Sequence, residues 1–176
     1  MTDNLHWHDL TTLSIEVKGW TNPRDFYDRL PIRAEGTVRD PVWNLSRDSA
    51  GICARFTSDA TAIHARWSLR KESLAMVHMP ATGVSGVDLY VRMDDTWRWL
   101  GTGRPEAFPD NEAQLCGELP KGQREYILYL PLYNGVTSVE LGVPKAASLE
   151  PMPTRDTRPV VFYGTSITQG GCASRP

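Results

Sequence analysis

The sequence predicts a mainly β protein: an antiparallel β-sandwich, jelly-roll-like, over residues 1–145, a linker at 146–159, and the first strand of a different, parallel α/β domain at 160–176. Three observations carry this reading. Short apolar–polar alternations recur along most of the chain. Glycines and prolines interrupt them at roughly the 8–12-residue spacing of a sandwich. Between them no stretch shows the i, i+3, i+4, i+7 apolar stripe of a substantial helix.

The elements follow in order. Leu13, Ile15 and Val17 alternate in "LSIEVKGW". In "GICARFTSDATAIHARWSL", Ile52, Ala54 and Phe56 share one face, then Ile63, Ala65, Trp67 and Leu69 share the next. The intervening "TSDA" predicts a hairpin between these two runs. "VDLYVRM" alternates through Val87, Leu89, Val91 and Met93, and "TWRWLG" places Trp97 and Trp99 on one face. "REYILYLPLY" and "TSVELGV" add two more strands, and the Asn134-Gly135 pair between them reads as a hairpin turn. Pro151, Pro153 and Pro159 then mark the linker. Val160–Tyr163, "VVFY", do not alternate, which suits a strand buried on both faces of a parallel sheet.

Composition narrows the function classes. Nineteen basic against 21 acidic residues give a formal charge of −2, with no basic stripe, which argues against nucleic acid as partner. The N-terminus lacks the order of a signal peptide and no apolar run reaches the ~20 residues of a membrane span. The expectation is a cytoplasmic protein with no membrane partner. Cys53, Cys116 and Cys172 are too widely spaced for a metal site, and three cannot all pair in one chain. His6 and His8 stand two apart in a terminus expected to be mobile, without a carboxylate or cysteine neighbourhood to complete a metal site. No metal and no organic cofactor is expected.

The chemistry concentrates in "VVFYGTSITQGG". A strand running into Gly164-Thr165-Ser166 places the serine at the strand's C-terminal tip, where open α/β sheets bind ligands. A serine hydroxyl becomes a nucleophile only with a base beside it and donors aimed at the developing oxyanion. The competing reading makes Ser166 a helix cap. The pattern is neither the G-x-S-x-G elbow, since Thr168 stands where Gly is needed, nor a phosphate loop, since no Gly-Lys follows.

"VVFYGTSITQGGCASRP" resembles the first conserved block of the SGNH/GDSL hydrolases. "YDRLP", "PVWNLSRDSAG", "HMPATGVSGVDLYVR" and "EYILYLPLYNGV" resemble the β-sandwich that precedes the catalytic domain in one branch of those esterases. The resemblance implies a flavodoxin-like α/β domain beginning at residue 160, with Ser166 as the nucleophile and its backbone N–H as an oxyanion donor. Thr165 and Ile167 replace the Asp and Leu of the nominal motif. The family's base, from an Asp-x-x-His, and its further oxyanion donors would lie beyond Pro176, so the 176 residues alone are expected to be inactive. The implied substrate is a small ester or an acylated carbohydrate.

Gly164, Thr165 and His78 are candidate pocket residues, His78 because it opens the glycine-containing loop "HMPATGVSG". The bland reading of that loop is a plain connection between strands. Trp67, Trp97 and Trp99 are expected in the core. Trp20, Tyr90, Tyr129 and Tyr133 are candidates for a sugar-stacking platform, against ordinary packing. A second function class therefore stays open: a non-catalytic binding module for carbohydrate or for docking. Homo-oligomerisation through a sandwich edge or the "VVFY" segment is a further expectation.

Overall fold

The computed structural model describes residues 4–153, 155–158, 160–162 and 164–173. In chain order the strands are β1 (Leu5–Asp9), β2 (Ser14–Glu16), β3 (Cys53–Ser58), β4 (Ile63–Leu69), β5 (Val87–Met93), β6 (Thr96–Gly103), β7 (Asp110–Cys116), β8 (Arg124–Tyr129), β9 (Val136–Pro144) and β10 (Leu149–Pro151). They form two antiparallel sheets, ordered β1-β9-β4-β7 and β10-β3-β8-β5-β6, with β2 on the edge of β3 that β10 also uses. Helical turns are short: α1 (Asp40–Ser46), α2 (Ala81–Val84) and α3 (Ser166–Gln169).

The alternating residues make the core. Ile63, Ala65, Trp67 and Leu69 of β4 and Val139, Leu141 and Val143 of β9 are buried against Ala54, Phe56, Leu89, Tyr126 and Leu128 of the other sheet. Each fully buried large side chain of this kind contributes roughly 1.5–3 kcal/mol. Phe56 and Tyr126 stack with centroids 5.3 Å apart. Trp67 satisfies its buried indole N–H on the Ser85 carbonyl, 3.0 Å away.

Two expected hairpins are crossovers between the sheets. β3 and β4 lie in opposite sheets, their apolar faces meeting across the core, so Asp59–Ala62 spans the sandwich. β8 and β9 are separated in the same way. Asn134 is buried there and Gly135 lacks the positive φ of a tight hairpin turn. A Cβ on Gly135 would come within 2.3 Å of the Arg47 carbonyl, so close backbone approach is what requires glycine. A true hairpin joins β5 to β6 through Asp94 and Asp95, both at positive φ.

Trp97 and Trp99 do not reach the core. Leu89 pairs with Gly101 but Tyr90 with Trp99, so Leu100 is an extra residue in β6. That bulge moves both tryptophans to the outer face beside Tyr90 and Arg92, and Trp99 is 60% exposed. The N-terminal stretch holding His6 and His8 is not a loose end but β1, paired with β9. Its Trp7 lies over Gly142, where a Cβ would meet the ring at 2.8 Å, and Arg66 stacks on it at 3.8 Å.

The six-stranded sheet takes in Leu149–Pro151, three residues of the stretch read as linker, because Leu149 completes the core opposite Ser58. Val160–Phe162, read as a strand, belong to neither sheet and are 78–83% exposed. They pair with no strand among the described residues, and Tyr163 lies outside those residues. No helix of the described residues is long and apolar enough to cross a membrane.

Candidate active site

One end of the sandwich, where β8 runs out and β5 begins, carries a second, smaller apolar cluster of Ala50, Met79, Val84 and Leu132, with Tyr133 packed against it. The Leu132 and Tyr133 amides donate to the Gly83 and Val84 carbonyls of α2, at 3.4 and 3.1 Å. Beneath lies a polar layer. Asn134 accepts from the Lys71 amide at 2.9 Å and donates to the Lys71 carbonyl and the Ser85 hydroxyl at 2.9 and 3.0 Å. Asp48 is buried, and its carboxylate pairs with Lys71 Nζ at 2.5 Å. Burial raises the Asp48 carboxyl above its ordinary value, and Lys71, then Arg29 and Arg70, oppose that shift. Asp28, also buried, pairs with Arg47 and Arg70 at 3.1 and 3.2 Å.

α3 sits on this platform. Thr165 occupies the cap position, though its side chain makes no capping bond, and Ser166 is the first helical residue. The capping role is therefore not Ser166's; its side chain is exposed at the start of the turn. Gly164 packs closely under Thr168, since a Cβ there would lie 2.0 Å from Thr168 Oγ1 and would force that side chain to another rotamer. Gly170 ends the turn in the left-handed region at φ 97°.

Four hydrogen bonds tie this segment to the sandwich. Tyr133 donates its hydroxyl to the Ser166 carbonyl at 3.1 Å, an oxygen that also accepts from the Gly171 amide at 2.7 Å. Burial, with the neighbouring Cys172 and Asp48, raises the Tyr133 phenol above its ordinary value, which keeps it a donor. Gln169 Nε2 donates to the Leu132 carbonyl at 3.2 Å, and its Oε1 accepts from Arg29 Nη2 at 3.1 Å. The Cys172 thiol donates to the His78 carbonyl at 3.7 Å. So the structure brings Gly164, Thr165 and Ser166 into one turn and sets the backbone of His78 against the same segment, six residues downstream of the serine.

Two of the four sugar-platform candidates come together. Tyr90 and Tyr129 meet edge to face at 5.5 Å on the outer face of the larger sheet. Trp20 stands under Arg33 at 5.1 Å, and Tyr133 is engaged with Ser166. Two surface depressions, of about 620 and 300 Å³, are lined by residues such as Arg92 and Glu125, or Arg66 and Glu112, and neither includes a residue of the Ser166 segment. All three cysteines are free thiols, and burial pushes the Cys53 thiol up to about 12. The described residues hold no group of three or more candidate metal ligands.

Sequence reasoning missed Arg29, Gln169 and the Tyr133 hydroxyl. Gln169 stands inside the quoted motif, and only its partners were unreadable. Arg29 comes from a segment with no periodicity, and its role depends on α1 ending beside it.

Residues 5–149 match the GxDLY family, described as the N-terminus of SGNH-hydro-type esterases. Its name reads here as Gly86-Val87-Asp88-Leu89-Tyr90 at the start of β5. The pattern has a physical basis in this fold. A Cβ at position 86 would lie 2.4 Å from the Thr82 carbonyl, Val87 and Leu89 enter the core, and Asp88 accepts from Thr102 on the outer face. The chain is similar to a crystal structure described as a GDSL-like lipase from Bacteroides ovatus ATCC 8483. Identity is 27% and the TM-score 0.83, over 95% of this chain and 49% of that one. A salicylyl-acyltransferase, SsfX3, from a tetracycline biosynthetic pathway shares the fold at 16% identity and TM-score 0.60, over 87% of this chain and 43% of that one. The chain thus spans about half the length of these solved structures. No curated protein matches it.

Proposed function

Because the chain belongs to the GxDLY family, the N-terminal region of SGNH-type esterases, we propose that it is the sandwich and nucleophile segment of a serine hydrolase acting on carboxylic esters through Ser166. The observation that carries this reading is the placement of Ser166. It stands exposed at the first position of a helical turn, directly after Gly164-Thr165, on a turn held to the sandwich from both ends. A merely decorative tail has no need of such anchoring.

In this reading Ser166 Oγ attacks the ester carbonyl and its proton passes to a base supplied from outside these 176 residues. The carbonyl oxygen becomes an oxyanion, to which the Ser166 N–H donates. The alkoxide departs with a proton, and the acyl-enzyme is resolved by water or by another alcohol. A small ester or an acylated carbohydrate is the proposed substrate. Turnover of p-nitrophenyl acetate by the full-length gene product, abolished in Ser166→Ala with the fold intact, supports the reading. Equal turnover by Ser166→Ala sinks it.

A further inference from the structure

We propose that Gln169 is a positioning residue: gripped between the Arg29 guanidinium and the Leu132 carbonyl, its carboxamide locks the Ser166 turn onto the sandwich and fixes how the serine hydroxyl is presented. The lock stands on geometry; its consequence for acylation rests on the reading of Ser166 as nucleophile.

A single helical turn of four residues has no stability of its own, so its conformation is imposed from outside. Ser166, Ile167 and Thr168 face solvent; Gln169 turns toward the protein. Its carboxamide can be oriented only one way. Oε1 meets an N–H of Arg29 and Nε2 meets a carbonyl, and a flipped amide would set donor against donor and acceptor against acceptor. Ser166 lies three residues earlier, a neighbour on the same strip of the turn.

The grip is anchored deeply. Arg29 Nε donates to the Asp48 carbonyl at 2.9 Å and Nη2 to the Leu45 carbonyl at 2.6 Å, so the guanidinium covers the open carbonyl end of α1 and extends that contact to Gln169. The Asp48 side chain roots the other arm. It pairs with Lys71, whose ammonium donates to the Tyr133 carbonyl at 3.2 Å, and Tyr133 holds the Ser166 carbonyl. One buried residue thereby fixes both ends of the turn.

The test compares the full-length gene product with Gln169→Ala and Gln169→Glu. Amide hydrogen exchange over 166–171 and the rate of Ser166 labelling by a fluorophosphonate are read beside the thermal midpoint. Gln169→Ala is expected to speed exchange of those amides about tenfold or more, as two lost hydrogen bonds allow. Labelling slows about tenfold, as a misplaced nucleophile does, and the exchange of β-strand amides and the thermal midpoint stay unchanged. Gln169→Glu keeps the Arg29 contact but sets an oxygen against the Leu132 carbonyl, and falls between the two. Exchange at 166–171 unaltered in Gln169→Ala overturns the lock whatever the serine does. Faster exchange with unaltered labelling overturns the positioning role. A wild-type protein that never labels, but whose turn loosens in Gln169→Ala, supports the lock and defeats the nucleophile reading.

Discussion

The Tyr133 hydroxyl donates to the main-chain carbonyl of Ser166 across 3.1 Å, joining the connection between β8 and β9 to the residue that begins α3. The sandwich thus touches the backbone of the serine and leaves its side chain exposed. Removing that hydroxyl in Tyr133→Phe leaves the aromatic ring in the small apolar cluster but frees one end of the turn. We expect denaturant stability of the sandwich to change by no more than about 1 kcal/mol, the net worth of one hydrogen bond. Ester turnover by the full-length protein should fall several-fold, in kcat more than in KM.

Gly164 reports on the same turn from the other side. A Cβ there would overlap Thr168 Oγ1 at 2.0 Å and Thr168 Cβ at 3.0 Å. Gly164→Ala is expected to force Thr168 from its rotamer and shift the turn, at a cost of about 0.5–1.5 kcal/mol, and to slow Ser166 labelling. Gly164→Ala combined with Thr168→Ala removes the worst overlap and should recover part of the labelling. No recovery in the double variant would mean that glycine is needed there for some other reason.

The core and surface tryptophans should behave in opposite ways. Trp67→Ala empties the centre of the sandwich and strands the Ser85 carbonyl, so urea unfolding should show a loss of about 3–5 kcal/mol. Trp99→Ala, on the outer face, should stay within about 0.5 kcal/mol.

The pH dependence of the β1 edge follows from His8. Burial, then the neighbouring His6, lowers its imidazole below the ordinary 6.5, while Glu150 opposes them. Between the folded value and 6.5 the unfolded chain binds more protons, so this contribution to stability is full above 6.5 and is lost as the pH falls through the folded value. The thermal midpoint should drop between about pH 7.5 and about pH 5.5, and His8→Asn should flatten the drop. A wild-type slope retained in His8→Asn would exclude this histidine as its source.

What could be read from the sequence divides along a physical line. Strands inside the sheets carry the strict alternation, as β4 does through Ile63, Ala65, Trp67 and Leu69. The strands that went unread, β1, β7 and β10, all lie at sheet edges. There one flank is open to water, and sequences such as "DNEAQLC" in β7 need little apolar signal. Alternation also says which face is apolar but not which sheet a strand joins. For that reason β3–β4 and β8–β9 read as hairpins although each pair spans the core. At the site, the turn at Gly164, Thr165 and Ser166 was legible because backbone turns write themselves in small residues, whereas a nucleophile's role for Ser166 was implied only by the family resemblance. Arg29 and Gln169 were not, since their meaning arises only when residues 140 positions apart meet.

The most direct measurement is peptide mapping of the full-length gene product after reaction with a fluorophosphonate. An adduct on the Ser166 peptide, absent after heat denaturation, is the predicted outcome. An adduct on another serine, or none on a folded protein that still cleaves esters, would contradict the assignment.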